Sequence, residues 1–499
     1  MARSVNAASA GLCDTCASAP VSKQTSDIAD KEAVSAASAS STRDLTSGKP
    51  MPLILGFLLP LLAGYLFQQF YNIVDTMIVG RTLGVSALAG VGSTGSVNFL
   101  VVGFCMGTCS GFAVPISQRF GAGDYSGMRK LTVHSLYLAV FFMIVLTTAT
   151  ALLTTGILKL MGTPEDIFVY AHDYILVIFL GIPAIMAYNL LSAVIRALGN
   201  SRAPVVFLVI ASVSNIFLDL LFIITFHMGV MGAALATDIS QGFSALLAAG
   251  YIVKKMPILH PSREELKAEG RLFKILFTMG VPMGLQFSVT SIGSVTLQSA
   301  VNSLGSVMVA SMTAANKVSG FFACPFDALG ATMSTYAGQN VGAGKLGRLN
   351  NGLRSGAILG AAYAVSALVI LYFFADDLIL LFLDSNNADV VSHARTLLLF
   401  YAAFYVPLMF VNEVRLTIQG MGYSAFAIFS GVCEMVARIF AALILIPILG
   451  WTGACLASPL AWVTADCFLF PAYYFMRRKT YRILGLDPGK GIGSFHEEE

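Results

Sequence analysis

The chain has 499 residues, of which 56% are hydrophobic and 11% charged, with a formal net charge of +3. Soluble globular proteins carry about 25% charged residues, so this composition excludes a soluble fold and makes lipid the solvent. A net charge this small, with no basic stripe interleaved with aromatics, also excludes a nucleic-acid partner.

Residues 1–48 are rich in Ala, Ser, Thr and Asp without apolar periodicity, which predicts a disordered cytoplasmic tail. Its "CDTC" segment, with Cys13 and Cys16, has no second pair or nearby His to complete a four-ligand metal site. From Met51 onward, twelve apolar segments are long enough to span a bilayer, which takes roughly 20 residues. They fall at 53–80, 88–114, 131–155, 168–195, 204–225, 230–253, 275–301, 309–335, 355–374, 392–420, 426–447 and 452–475. Cys105, Cys109, Cys324, Cys433, Cys455 and Cys467 lie in these runs as small buried hydrophobes. Pro60, Pro183, Pro282 and Pro407 are the expected bending points.

The cations mass on one side of these spans: Arg119, Arg129, Lys130, Arg196, Arg202, Lys254, Lys255, Lys345, Arg348, Arg477, Arg478 and Lys479. Only Arg81, Lys159 and Arg395 fall opposite, among the acids Glu165, Asp166, Asp376, Asp377, Asp384 and Asp389. By the positive-inside rule, both termini are cytoplasmic.

The sequence also repeats. "QRFGAGDYSGMRK" (118–130) matches "QNVGAGKLGRLNN" (339–351), "IRALGNS" (195–201) parallels "IQGMGYS" (418–424), and Pro60 corresponds to Pro282. The expected organisation is therefore a tail to 48, an amino-terminal lobe at 49–254, and a charged cytoplasmic linker at 255–274. A carboxy-terminal lobe at 275–478 and a cytoplasmic tail at 479–499 follow. The fold class is all-α, polytopic and membrane-embedded, with two pseudo-symmetric six-helix bundles as parallel repeats.

Intramembrane acids are expensive and usually functional. The first lobe carries Asp75 in "YNIVDTMIVG", Asp219 in "SNIFLDLLFI", and Asp238 near the middle of the sixth span. Asn215 and Asp219 are four apart and share a helix face. Asn189 and Thr237 lie on the neighbouring spans, so carboxylate, amide and hydroxyl oxygens can converge on a small cation or a proton. For the amides and the hydroxyl, plain helix–helix hydrogen bonding is an equal alternative. Asp238, about 100° around its helix from Thr237, is the weakest candidate. No Lys or Arg lies within these spans to neutralise the acids, since Arg81 sits at a boundary.

The second lobe balances its charges. Lys317, Arg415 and Arg438 accompany Asp327, Glu413 and Glu434, beside Asn412. Glu434 and Arg438 are four apart and are expected to pair, and the group reads either as a structural ion-pair network or as contacts for a transported molecule.

The two halves, Pro60 fifteen residues ahead of Asp75, "VDTMIVGRTLG", the paired "GAG" loops and "NIFLD" resemble the multidrug and toxic compound extrusion (MATE) transporters of the MOP fold. The resemblance covers about residues 51–480 and is nearest the branch of DNA-damage-inducible and staphylococcal-type exporters. It implies a cation site on Asp75, Asn189, Asn215, Asp219 and Thr237, with Asp75, Asn215, Asp219 and Thr237 as ligands if the ion is Na⁺. It implies Pro60 as a hinge, and Na⁺- or H⁺-coupled antiport exporting amphipathic, often cationic drugs by alternating access. The other bacterial branch uses a glutamate on the seventh helix, where "MGLQFSVTS" has none. The expectations that follow are a monomer in a bacterial plasma membrane, small-molecule xenobiotics as cargo, and no cofactor or nucleotide.

Three other readings fit the residues less well. A lipid-linked saccharide flippase of the same superfamily is disfavoured by the acidic first lobe. An intramembrane enzyme is disfavoured because His134, His172, His227, His260, His393 and His496 are dispersed and no HExxH or paired catalytic acids occur. "GLDPGKG" near the end has three residues between its glycines and no Ser or Thr after Lys490, so it is no phosphate loop. A purely structural or receptor role leaves the first-lobe acids without a purpose.

Overall fold

The computed structural model describes residues 41–382 and 388–485, all of whose regular elements are helical. The tail to residue 40, with Cys13 and Cys16, Asp384, and the stretch from Leu486 with its glycine-rich loop lie outside the described residues. In chain order the helices are α1 (Pro50–Leu83), α2 (Val85–Ser93), α3 (Gly95–Gly121), α4 (Tyr125–Leu160), α5 (Glu165–Leu180), α6 (Ile182–Ala197), α7 (Arg202–Leu220) and α8 (Gly229–Lys255). The second half contains α9 (Gly270–Asn302), α10 (Ser306–Gly342), α11 (Gly347–Leu380), α12 (Ala388–Ala403), α13 (Tyr405–Gly420), α14 (Ser424–Phe440), α15 (Ile446–Leu449) and α16 (Trp451–Ile483). A π-helical turn extends α7 over Leu221–Thr225, and another extends α14 over Ala441–Leu445.

Among the described residues, ten helices are long and apolar enough to cross a bilayer. The pairs α5/α6 and α12/α13, bent by 47° and 51°, bring the number to twelve when each pair is one span. The first break falls at Gly181 and the second at Phe404, with Pro183 and Pro407 in the turns that follow. Proline is tolerated there because the first-turn N–H groups have no helical partner. By contrast, α1 and α9 continue as helices through Pro60 and Pro282. Several helices outrun the predicted spans: α4 has 36 residues, about 54 Å at 1.5 Å per residue, so it extends well beyond a ~30 Å hydrocarbon core.

The internal repeat is written in the backbone. Positive φ recurs at Gly84 and Gly305, at Gly123 and Gly344, and at Gly229 and Gly450, each pair 221 residues apart. In the first GAG loop, the N–H of Asp124 bonds to the carbonyl of Arg119 and that of Gly123 to Phe120. In the second, Lys345 bonds to Asn340 and Gly344 to Val341. This helix cap needs a left-handed residue, which glycine adopts without a Cβ penalty. Asp124 then starts α4 by accepting from the N–H of Gly127 at 2.8 Å.

The chain forms two compact units. The carboxy-terminal unit takes Leu45–Leu62 with the described residues from Leu285 on, and the amino-terminal unit takes Ala63–Gly284 with residues 41–44. The units therefore exchange helix segments just beyond Pro60 and Pro282, inside α1 and α9, rather than dividing in the linker. Residues 41–48, expected in the tail, are seated: Leu45 is buried, its N–H donates to Gln339 Oε1 at 2.9 Å, and its carbonyl accepts from Asn340.

Within the amino-terminal unit, α3 and α9 meet at glycines. A Cβ on Gly111 would lie 2.6 Å from the Cα of Gly280, the close backbone approach that small residues permit in membranes. The linker is strapped to the start of α4. Arg129 donates to both oxygens of Glu265 at 2.8 and 2.9 Å, and Lys130 donates to Glu269 at 2.6 Å. The N–H of Glu269 donates to Nε2 of the buried His134 at 2.8 Å. Burial alone would raise the Glu265 pKa, but hydrogen bonds from Arg129, the Ser262 N–H and Ser126 hold its carboxyl at about 2.

Candidate ion-coupling site

The site lies in the amino-terminal unit. The α1 helix brings Tyr71 and Asp75, α7 brings Ser212, Asn215 and Asp219, and α8 brings Thr237, Ser240 and Gln241. Helical spacing explains the grouping: Tyr71 and Asp75, Asn215 and Asp219, and Thr237 and Gln241 are each one turn apart on their helices.

The carboxyl groups of Asp75 and Asp219 come close enough to interact directly. Oδ1 of Asp75 is buried without a hydrogen-bond partner among the described residues. Asp219 and Asn215 are buried at 0% and 2% exposure. Nδ2 of Asn215 donates to Thr237 Oγ1 at 3.4 Å, and that hydroxyl donates to the carbonyl of Ala233 at 3.2 Å. Beside them opens a small recess of about 10 Å³, whose lining includes Tyr71, Ser212, Asn215, Thr237, Ser240 and Gln241. That is room for a single small ion or water.

Four of the five expected residues thus share one neighbourhood. Asn189 stands apart: its amide donates to the carbonyl of Ile185 in its own helix at 2.8 Å, and no hydrogen bond links it to the other four among the described residues. Asp238 packs onto Gly181, where α5 and α6 meet; a Cβ there would lie 1.9 Å from its Oδ1. Tyr71, Ser240 and Gln241 were not expected. The signal for Tyr71 is its place one turn before Asp75, and for Gln241 one turn after Thr237.

The oxygen set fits a hard monovalent cation as well as a proton. Among the described residues, no three His, Cys, Asp or Glu side chains come together to hold a metal ion, which argues against a transition-metal centre.

In the carboxy-terminal unit, Arg415 rather than Arg438 makes the tighter bond to Glu434. Nη1 of Arg415 reaches Glu434 Oε1 at 2.8 Å and its Nη2 reaches Asn412 Oδ1 at 3.1 Å, while Arg438 Nη2 lies 3.4 Å from Glu434 Oε2. The expected pair along α14 exists, and a third member joins it. Asp466 of α16, overlooked in "AWVTADCF", is buried beside Arg415 and Glu434. Lys317 and Asp327 are exposed and form no salt bridge with each other among the described residues. Glu413 does not join the network: it is wholly buried, with its carboxyl against Gly356 of α11.

Comparison with known proteins agrees with this architecture. The MatE family model matches residues 60–221 and 282–444, one block in each half. Over 373 residues the chain is 30% identical to the probable multidrug resistance protein YpnP of Bacillus subtilis (strain 168), spanning 74% of this chain and 82% of YpnP. The probable multidrug resistance protein YoeA of the same organism is 28% identical over 440 residues, 85% of this chain and 93% of YoeA. Among solved structures, an outward-facing multidrug resistance MATE family transporter of the MOP superfamily has the same fold. Its TM-score is 0.82 at 22% identity, over 87% of this chain and 98% of that one. With both halves matched by the family model and a relative at this identity along most of its length, the chain belongs to the MatE family.

Proposed function

We propose that this protein is a secondary active transporter that exports amphipathic, often cationic drugs and toxic compounds in exchange for an entering cation, with H⁺ as the primary coupling ion. The observation that carries the reading is the meeting of the Asp75 and Asp219 carboxyls, two acids brought together from α1 and α7. Two adjacent negative charges in such a place are costly, so the pair is read as sharing one proton. No Lys or Arg within the first six spans stands in for that proton. Releasing the proton leaves two like charges in a low-dielectric interior, a state that costs several kcal/mol unless the helices move or another cation enters.

Chemistry and conformation are linked through α1, which carries both Asp75 and Pro60 and contributes to both units. Pro60 removes one helical hydrogen bond, which makes it the hinge by which occupancy of the pair shifts the two-state equilibrium behind alternating access. Na⁺, when bound, would be held by Asp75, Asn215, Asp219 and Thr237, where it supplies the positive charge that the proton otherwise provides. The polar residues Lys317, Asp327, Asn412, Glu413, Arg415, Glu434 and Arg438 are candidates for cargo contact or for holding the carboxy-terminal unit together. The relatives' printed descriptions as multidrug resistance proteins support a drug-like cargo. The bacterial relatives support a plasma-membrane location, the distribution of Lys and Arg supports cytoplasmic termini, and we take the working form as a monomer.

Proteoliposomes containing the purified full chain test the reading. An imposed proton gradient should drive uptake or release of a fluorescent organic cation, and protonophore should abolish the flux. Flux indifferent to any cation gradient, or transport of a labelled lipid-linked sugar instead, would overturn it.

A further inference from the structure

The last helix ends in four cations with no acid beside them in the chain. "MRRKTYR" (476–482) closes α16 with Arg477, Arg478, Lys479 and Arg482, and no Asp or Glu occurs between Asp466 and Asp487. Other cations on the same side of the spans are spent inside the protein. Arg119 pairs with Asp124, Arg129 with Glu265 and Lys130 with Glu269, while Lys345 and Arg348 donate to the carbonyls of Thr46 and Gly48. Arg478 and Arg482 are exposed, and neither forms an ion pair or a side-chain hydrogen bond among the described residues.

Aromatic rings hold this cluster instead. Arg478 lies over Tyr474 at 4.9 Å from the ring centre, Arg477 over Tyr481 at 5.4 Å, and Lys479 over Tyr423 at 5.7 Å. A ring takes one face of the planar guanidinium and leaves its edge N–H donors clear. That edge is the part that forks onto a phosphate.

The face that carries the two exposed arginines is otherwise apolar. Helical spacing puts Cys467, Tyr474, Phe475, Arg478 and Arg482 on one side of α16. All five are exposed, Tyr474 at 51% and Phe475 at 63%. Two rings followed by two arginines match the order of a bilayer boundary, where aromatics sit at the edge of the hydrocarbon and cations reach the headgroups. Arg478 stands one turn, about 6 Å, beyond Tyr474, and the headgroup layer is on the order of 5–7 Å deep on each side. A phosphate at that depth meets Arg478, with Arg482 one turn further out.

We infer that the cytoplasmic end of α16 is a docking surface for an anionic phospholipid, its phosphate gripped by Arg478 and Arg482 and its acyl chains laid along Tyr474 and Phe475. The chain's own acidic end, Glu497–Glu499, would satisfy the arginines but leave both rings uncovered. Charge and apolar face together therefore select a lipid. The surface is separate from the coupling site and does not depend on the role proposed for it.

The full chain, purified in detergent, is titrated against phosphatidylglycerol bearing a fluorescent acyl chain, and anisotropy is followed beside phosphatidylcholine with the same chains. Wild type should bind phosphatidylglycerol saturably and at least tenfold more tightly than phosphatidylcholine, with the preference shrinking as NaCl rises. The double variant Arg478→Gln/Arg482→Gln, at exposed positions, should lose that preference while keeping the wild-type midpoint of thermal unfolding. Equal binding of the two lipids by wild type overturns the inference, and so does an unchanged preference in the double variant. Inorganic phosphate at matched ionic strength should leave the lipid bound; displacement makes the cluster a simple anion site and overturns the lipid assignment. A preference that emerges only in the triple variant Glu497→Gln/Glu498→Gln/Glu499→Gln gives the surface to the chain's own end and overturns it too.

Discussion

Asp75 of α1 and Asp219 of α7, 144 positions apart in the chain, bring their carboxyl groups together in the amino-terminal unit. The pairing gives a direct expectation for neutral substitutions. Asp75→Asn and Asp219→Asn preserve size and remove the shared acidic proton, so each should cut gradient-driven flux at least tenfold while the protein still folds. Flux in proteoliposomes, read beside elution on size exclusion, checks this. A wild-type rate in both variants would remove the pair from the mechanism.

The glycine contact between α3 and α9 predicts a packing defect. In Gly111→Ala, the new methyl meets the backbone of Met279 and Gly280 at 2.6–2.7 Å, and backbone cannot swing aside as a side chain can. Overpacking of this kind costs about 1–3 kcal/mol. The expected result is a lower midpoint of thermal unfolding in detergent, with Gly92→Ala, which meets nothing within 4 Å, as the quiet control.

The linker strap predicts an acid-sensitive stability. The Glu265 carboxyl titrates at about 2 in the folded protein, while an unfolded glutamate titrates near pH 4.3. Between those values the unfolded chain binds more protons. The contribution is therefore whole above about pH 4.3 and disappears as pH falls through about 2, on the order of 3 kcal/mol in all. Glu265→Gln should flatten that acid limb of the stability curve in chemical unfolding, and an unchanged limb would contradict the strap.

The network in the carboxy-terminal unit predicts non-additive losses. Removing one partner of a buried ion pair costs about 3–5 kcal/mol because the remaining charge is stranded. Glu434→Gln strands Arg415 and Arg438 together, whereas Arg415→Met leaves Glu434 with Arg438. The first should therefore destabilise more than the second, and the double variant should cost less than the two single losses combined.

Much of this arrangement was legible beforehand, for physical reasons that also mark where legibility ends. Runs of apolar residues locate spans because lipid permits little else, and the acids Asp75 and Asp219 stand out because each is costly there. The GAG repeat is readable because a left-handed cap demands glycine, and the structure places such caps at Gly123 and Gly344. Ser240 and Gln241 carry no charge to mark them in the sequence, and only the recess they line beside Asn215 and Thr237 reveals them. Asp466 was visible as an acid in an apolar run and was passed over. The break at Phe404 has no letter of its own, because a bend is set by packing as much as by the proline that follows. Asn189 belongs to the cation-coupling set by its place on the neighbouring span and by the family resemblance, and in the structure its amide donates to the carbonyl of Ile185 in its own helix.

The exchange of helix segments near Pro60 and Pro282 bears on what a cut at the linker would leave. Each repeat lends its opening stretch to the other's packing, so either half alone would carry one surplus segment and lack another.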